Sequence, residues 1–469
     1  MSPAVAVNAA SAGFFFMEAT GTRSWLLGLM ALGAAACGPS GSSGGGAVPL
    51  VAGPALPKPQ PGGLSPTAEV GRLLFFDKSL SATGAMSCAT CHSPDHAYAP
   101  PNDLAVQLGG ADGRTEGPRA VPSLRYKEYT PAYADLLDNP DGISAPGPGG
   151  GFAWDGRANT LAQQARLPLL SPAEMANPSP EEVVRKIAAA PYAERFQAAF
   201  PGVGWSDPAR AFEAALTALE AFQREDSSFH PYTSKFDLRA GNKIGGTFTA
   251  AETRGYKVFV DAKRGNCASC HYHGAGLGGS SGMFTDYSYE AIGVPRNRTL
   301  AANADPQHFD LGLCGPPRAD HLPGGGTNAF CGMFKTPTLR NVVTRKVFFH
   351  NGVIHSLEQA VRFYATRDTR PELWYPTVGG RGKAHPDPSF PTYGLVATQY
   401  TGGTVQKYDD LPSAHRRNID GQMPLDGRAR GAKPPLGEQD VQDLICFLET
   451  LTDGYRPPAI SPTDGRCVN

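Results

Sequence analysis

From residue 206 the chain reads Ser-Asp-Pro and then sets Phe212, Leu216, Leu219 and Phe222 three or four positions apart. Asp207 before Pro208 is a helix start, and the spacing gathers the four apolar residues on one face of an amphipathic helix. The same period returns at Val441, Leu444, Leu448 and Leu451, predicting a closing helix over 438–451. Thr249-x-x-Glu252 reads as a capping box that opens another helix, just ahead of a cysteine-rich stretch. Between these segments, "SSFHPYTSKFDLRAGNKIGG" loses helical periodicity and marks a boundary near 228–246.

The longest early apolar run is "SWLLGLMALGAAAC" after Arg23, too short to span a bilayer and ending in small residues. It fits a targeting signal, with Met17 as a candidate translation start. The run resembles a bacterial lipoprotein signal over 1–37, with Cys37 as the lipidated residue. Ala34 stands where such signals usually carry Leu, which leaves a plain cleaved secretory signal as the alternative. "GPSGSSGGG" then begins a flexible tether over 38–63. Both readings export the mature protein to the periplasm, and the first ties it to the membrane through a lipid anchor alone.

Composition narrows the class. Lys plus Arg (42) balance Asp plus Glu (43), with no clustered basic excess of the kind a nucleic-acid surface needs. Gly (56) and Pro (43) make up roughly a fifth of the chain, so much of it is loop. Nine cysteines are present. Beyond Cys37 and four in two short motifs, Cys314, Cys331, Cys446 and Cys467 form an even remainder that suits two disulfides in an oxidising compartment. Local pairing, 314 with 331 and 446 with 467, is the favoured one of three connectivities.

The two motifs are "CATCH" at 88–92 and "CASCH" at 267–271. C-x-x-C-H is the attachment signature of c-type haem: two thiols reach the vinyl groups and the adjacent His lies under the iron. A zinc half-site would need further Cys or His at close spacing, and neither motif has another Cys within reach in sequence. The chain is read as carrying two covalently bound haem c groups, on Cys88, Cys91 and His92, and on Cys267, Cys270 and His271. The repetition extends outward. "GRLLFFD" (71–77) is echoed by "GYKVFVD" (255–261), "PSLR" (122–125) by "PTLR" (337–340), and "WDGRANTLAQQA" (154–165) by "HNGVIHSLEQAV" (350–361). Each half looks like one cytochrome c-like unit.

These motifs, with "PAEM", "FKTPTLRNV", "SLEQAVRFY" and "YDDLP", resemble the bacterial di-haem cytochrome c peroxidases and their relative MauG over roughly 64–456. The resemblance implies an all-α fold of two cytochrome c-like domains, 64–235 with the peroxide-reacting haem and 236–456 with the electron-transfer haem. The last helix is expected to pack back on the first domain, ahead of a tail at 457–469. It implies that Gln164 and Glu174 are the distal catalytic pair, that Pro168 is a distal proline, and that Trp154 relays electrons between the haems. On its own residues Glu174 could equally be an exposed carboxylate in the first turn of a helix after "SP", and Trp154 a packing residue. His96 is the one nearby candidate for a second ligand in the first half, and it lies too close to His92 in sequence to cross the haem.

At the second iron, conventional members place a Met where this chain has Tyr364, and MauG has Tyr. A phenolate is a hard anionic donor that stabilises ferric and higher states. Met423 in "GQMPLDG" is the competing ligand, and packing alone is the other fate open to Tyr364. Three positions depart from the family. Ala120 replaces the usual calcium-binding Asn, which puts calcium in doubt. Gly265 replaces the surface Trp through which MauG oxidises its protein substrate. His273 follows the second motif as a neighbour of that haem or a surface residue.

Three functions follow. The first is reduction of hydrogen peroxide with electrons from a small cytochrome c or cupredoxin. The second, preferred on Tyr364 and the missing first-half His, is a MauG-like reaction in which both haems share the oxidising equivalents and a partner protein is oxidised at Trp or Tyr. The third is a non-catalytic di-haem electron carrier. Conventional members are dimers, so the resemblance also implies a homodimer.

Overall fold

A computed structural model describes residues 63–274, 281–318, 329–378, 403–457 and Cys467. The signal segment with Cys37 and nearly all of the tether lie outside the described residues, as does most of the tail. Residues 46–469 form one compact unit.

Ten α-helices are described, and the helix starts follow the sequence signals. α1 (Pro66–Phe76) is capped by Ser65, whose hydroxyl accepts from Ala68 N. α2 (Cys88–Cys91) is the first motif. α3 (Leu161–Leu170), α4 (Pro180–Ala189) and α5 (Ala193–Ala199) lead to α6 (Pro208–Glu225), capped by Asp207 as its sequence predicts. α7 (Lys235–Ala240) lies inside the stretch read as lacking helical periodicity. It is a single capped turn and a half, too short to leave a periodic trace, and it is held by the buried ion pair of Lys235 Nζ with Glu252 at 2.8 Å. α8 (Ala250–Val260) opens with the expected Thr249/Glu252 capping box, and α9 (Leu357–Thr366) and α10 (Glu438–Glu449) follow.

The fold is helix-rich, as the all-α expectation has it, with four short two-stranded antiparallel ribbons among the described residues, such as Leu108–Gly109 with Thr115–Glu116 and Tyr289–Glu290 with Phe334–Lys335. They are two to four residues long and sit in the loops that Gly and Pro make irregular.

Two apolar cores result. One runs from Val70 to Phe229 and the other from Phe236 to Leu451. Each is organised by a close helix crossing that only glycine permits. A Cβ on Gly71 of α1 would lie 1.9 Å from the Ala218 carbonyl oxygen of α6. A Cβ on Gly255 of α8 would lie 1.9 Å from the Asp443 carbonyl oxygen of α10. The closing helix therefore packs on α8 and α9 rather than back on the first half, because the crossing at Gly255 fixes it there. What reaches across is Asp453 just beyond it, which takes Arg125 Nη1 at 3.1 Å and Tyr126 Oη at 2.7 Å. The disulfides pair Cys314 with Cys331 and Cys446 with Cys467, the local connectivity expected.

Candidate active site: two cavities with a common wall

The repeat seen in sequence is also a repeat in space. His92 Nδ1 meets the Tyr98 carbonyl at 3.0 Å, and His271 Nδ1 meets the Phe284 carbonyl at 3.1 Å. Tyr98 and Phe284 both take a left-handed φ of 55°, uncommon for an aromatic residue. The same carbonyls accept from Leu124 N of "PSLR" and Leu339 N of "PTLR". Ser123 and Thr338 complete the pattern, each hydroxyl donating to the carbonyl of Ala97 or Met283 at 2.6 Å. Burial lowers both imidazoles to about 4. A neutral ring that donates Nδ1–H to a carbonyl keeps its Nε2 lone pair free, the tautomer a metal ligand needs.

His92 lines a cavity with Cys88, Cys91, Trp154, Gln164, Pro168 and Glu174, so every sequence-predicted residue of the first site meets there. His271 lines a second cavity with Cys267, Cys270, Tyr364, Met423 and again Trp154. The four motif cysteines are free of disulfides. Burial pushes Cys88 and Cys267 up to about 12 and Cys91 to about 11, and Cys270 well above its usual value. A redox dithiol or zinc site calls for thiols poised to ionise. Among the described residues no group of three or more His, Cys, Asp or Glu could hold a metal ion. Buried neutral thiols beside an apolar cavity and a fixed imidazole instead fit a porphyrin carried on thioether links.

In the first cavity Gln164 and Pro168 are one turn apart on α3, on one face. Glu174 follows in a turn, not in the first turn of a helix, with its N–H on the Ser171 carbonyl. Its own carbonyl takes Gly110 N at 2.8 Å. Gly109 allows that approach, since a Cβ there would lie 2.4 Å from the Ala173 carbonyl oxygen. Burial raises the Glu174 carboxyl above its ordinary value, opposed by the Ser171 hydroxyl and the charge of Arg157. A cavity carboxyl with a raised pKa is chemically suited to move a proton, and the Gln164 amide lines the same cavity.

α3 and α9 are structural counterparts. Gln163 N bonds the Thr160 cap hydroxyl and Gln359 N the Ser356 cap hydroxyl, both at 3.1 Å. Chain reversals from Phe152 to Ala158 and from Phe348 to Ile354 precede the two helices. In this register Pro168 and Tyr364 occupy the same place, eight residues beyond the caps Thr160 and Ser356. The first cavity thus has a proline without donor atoms where the second has a phenol. Tyr364 packs on Phe349 and Phe363, burial raises its phenol, and its hydroxyl makes no hydrogen bond among the described residues. Met423 shares that cavity, with its sulfur 3.7 Å from Arg428 Nη2.

Trp154 lines both cavities, its Nε1 donating to the Ala120 carbonyl at 2.8 Å. Lys127 and Lys335 line both as well. Ala120 offers no side-chain oxygen, its carbonyl is taken by the indole, and two lysines share the wall, so these residues do not fit a calcium ion. His96 bonds Ser93 Oγ at 3.2 Å and lines neither cavity. His273 is half-buried and lines neither of the two cavities. It sits among Tyr256, Phe259 and Phe284, with Nε2 3.0 Å from Tyr256 Oη. The sequence left Tyr98, Phe284, Lys127 and Lys335 unmarked. Only the "PSLR"/"PTLR" repeat hinted at the first two, and a lone lysine carries no pattern.

The chain is similar to known proteins in sequence and in overall structure. Residues 65–243 match the family described as di-haem cytochrome c peroxidase. The chain is 35% identical to the methylamine utilization protein MauG of Paracoccus denitrificans, over 84% of this chain and 90% of that one. It is 32% identical to the cytochrome c551 peroxidase of Nitrosomonas europaea, over 63% and 71%. The crystal structure of the diheme peroxidase BthA from Burkholderia thailandensis superposes with a TM-score of 0.70 at 35% identity, covering 87% of this chain and 91% of that one. The chain belongs to the di-haem cytochrome c peroxidase and MauG family of haem oxidoreductases.

Proposed function

We propose that this protein activates hydrogen peroxide in the first cavity and passes the resulting oxidising equivalents to the second in a MauG-like manner. The observation that carries the reading is the exchange of Pro168 for Tyr364 at equivalent positions of α3 and α9. One cavity keeps room for a small substrate, and the other presents an oxygen donor with no hydrogen-bond partner among the described residues.

Cys88, Cys91 and His92 would hold the first haem covalently and Cys267, Cys270 and His271 the second, with Tyr364 as a further ligand to the second. Bound there, the two irons supply the redox chemistry, peroxide reduction at the first and storage of an oxidising equivalent at the second. The chain supplies the proton chemistry. Glu174 takes a proton from one peroxide oxygen and returns it to the other, and Gln164 orients the substrate through its side-chain amide. Pro168 closes the α3 side of the cavity without offering a competing ligand or N–H. Trp154, on the wall common to both cavities, offers a stepping stone for an electron. The electron source is a cytochrome or cupredoxin, or a partner protein oxidised at Trp or Tyr. The leader further supports export to the periplasm with a lipid anchor on Cys37, and the family resemblance supports a homodimer.

One equivalent of hydrogen peroxide added to the haem-loaded diferric protein is expected to give a long-lived two-electron-oxidised state with a new near-infrared band. Tyr364→Phe should abolish that band and shift the low-spin ferric signal. Reaction only after prior reduction of one haem, with turnover from a cytochrome donor, would establish the conventional peroxidase instead. An unshifted ferric signal in Tyr364→Phe would bring Met423 forward as the ligand.

A further inference from the structure

Buried cations in this molecule are paired almost everywhere. Arg119 bonds Asp155 and Asp310, Lys235 bonds Glu252, Arg340 bonds Asp237, and Arg296 reaches Asp410. Lys127, Lys335 and Arg345, half-buried on the cavity walls, differ. None has an ion-pair partner among the described residues. Lys335 Nζ donates to the Gly151 carbonyl and lies 5.7 Å and 5.5 Å from the Phe152 and Tyr287 ring centres. Arg345 donates only to the Val347 and Val121 carbonyls, at 3.3 and 3.1 Å. The Lys127 ammonium makes no hydrogen bond among the described residues.

The three are also gathered in one place. Lys127 and Lys335 line both cavities, and Arg345 lines the second. Burial depresses all three, Lys127 to about 8 and Arg345 to about 10, and the charge of Arg345 further lowers Lys127 as that of Lys127 lowers Lys335. An unpaired buried cation is costly unless a counter-charge is brought to it. Glu128 acts on Lys127 and Asp286 on Lys335 without forming an ion pair with either, whereas each haem of this di-haem family carries two propionate carboxylates. We propose that Lys127, Lys335 and Arg345 form an anion site for the haem propionates. The two lysines clamp carboxylates of both cofactors from the common wall, and Arg345 serves the second alone.

The assignment does not rest on the MauG-like reading and holds equally for a conventional peroxidase. It makes the two irons feel the same lysines. A positive charge beside an iron favours its reduced form, so removing Lys127 or Lys335 should lower both midpoint potentials, and removing Arg345 chiefly the second.

The test uses the haem-loaded protein with Lys127→Met, Lys335→Met and Lys335→Arg. Resonance Raman propionate-bending bands and spectroelectrochemical midpoints are read together with thermal melting. Both Met variants are expected to move the propionate bands of both haems and lower both midpoints, with Lys335→Arg restoring them. Lys127 has no protein partner to lose, so Lys127→Met keeps the test open should Lys335→Met fail to fold. Under the proposal Lys127→Met melts lower than the parent because a carboxylate is left unpaired. Unchanged bands and midpoints with a higher melting temperature, as expected on deleting a merely unpaired buried cation, would overturn it.

Discussion

The surroundings of Glu174 disfavour its charged form. Burial raises its carboxyl pKa, and the Ser171 hydroxyl and the Arg157 charge offset only part of that. A carboxyl raised in the folded state stabilises the fold below its ordinary range and loses that contribution as pH rises through the folded value. Glu174→Gln removes the charged form and should melt higher than the parent at pH 7. The difference should vanish as the pH falls below the ordinary glutamate range. The same change should lower the rate of the peroxide reaction by about 10²–10⁴-fold, the usual worth of a positioned proton-transfer group. Calorimetry across pH and stopped-flow absorbance check the two halves separately. An activity loss without a stability gain would mean that the carboxyl is better solvated than its cavity position implies.

At the scale of the elements, each half hangs on one helix crossing. α1 crosses α6 at Gly71, and α8 crosses α10 at Gly255, with Phe222 and Phe447 Cβ atoms each 2.9 Å from the missing Cβ. Phe75 of α1 and Leu219 of α6 line the first cavity, and Phe259 of α8 with Leu444 and Leu448 of α10 line the second. Gly71→Ala and Gly255→Ala should each cost about 1–3 kcal/mol by overpacking. They should also differ in site: the first change perturbs the ferric signal of the first haem alone, the second that of the second haem alone, in low-temperature electron paramagnetic resonance. These crossings show what the sequence could and could not reveal. α6, α8 and α10 were legible because their caps and apolar spacing are local. The paired echoes "GRLLFFD" and "GYKVFVD" announced that the halves match, but not which partner each glycine meets. The place of α10 depends on contact with α8 some 190 residues away in the chain, roughly the separation of Gly255 and Asp443, and no local pattern records such a contact. α7 left no period because its stability comes from Lys235 and Glu252. At the site, the motif cysteines, His92, His271, Gln164, Glu174, Trp154 and Tyr364 could be named from motif and resemblance. The equivalence of Pro168 and Tyr364 needed the two caps to be seen in register.

The whole molecule is joined across its halves by polar groups beside a small shared cluster of Tyr126, Met283 and Tyr287. Asp453 is the most connected of them. Its carboxylate accepts from Arg125 Nη1 at 3.1 Å, Tyr126 Oη at 2.7 Å, Asn341 Nδ2 at 2.6 Å and Thr233 N at 3.2 Å. Arg125 and Tyr126 follow the first "PSL", and Asn341 follows the second "PTLR", so one carboxylate ties together the segments that hold His92 and His271. Asp453→Ala would strand a largely buried guanidinium and three further donors, a loss of about 3–5 kcal/mol by comparison with broken buried pairs. Arg119 with Asp310, and Ala120 N on the His350 carbonyl, still bridge the halves in that variant. The variant should therefore stay folded but lose cooperativity, because units with separate cores unfold together only while the contacts between them outweigh the difference in their own stabilities. Differential scanning calorimetry should show the single transition of the parent move down and split. The earlier step should carry loss of coupling between the haems rather than loss of either haem's own spectrum. A single transition merely shifted to lower temperature would assign Asp453 a local role and leave Arg119 and Asp310 as the joint that matters.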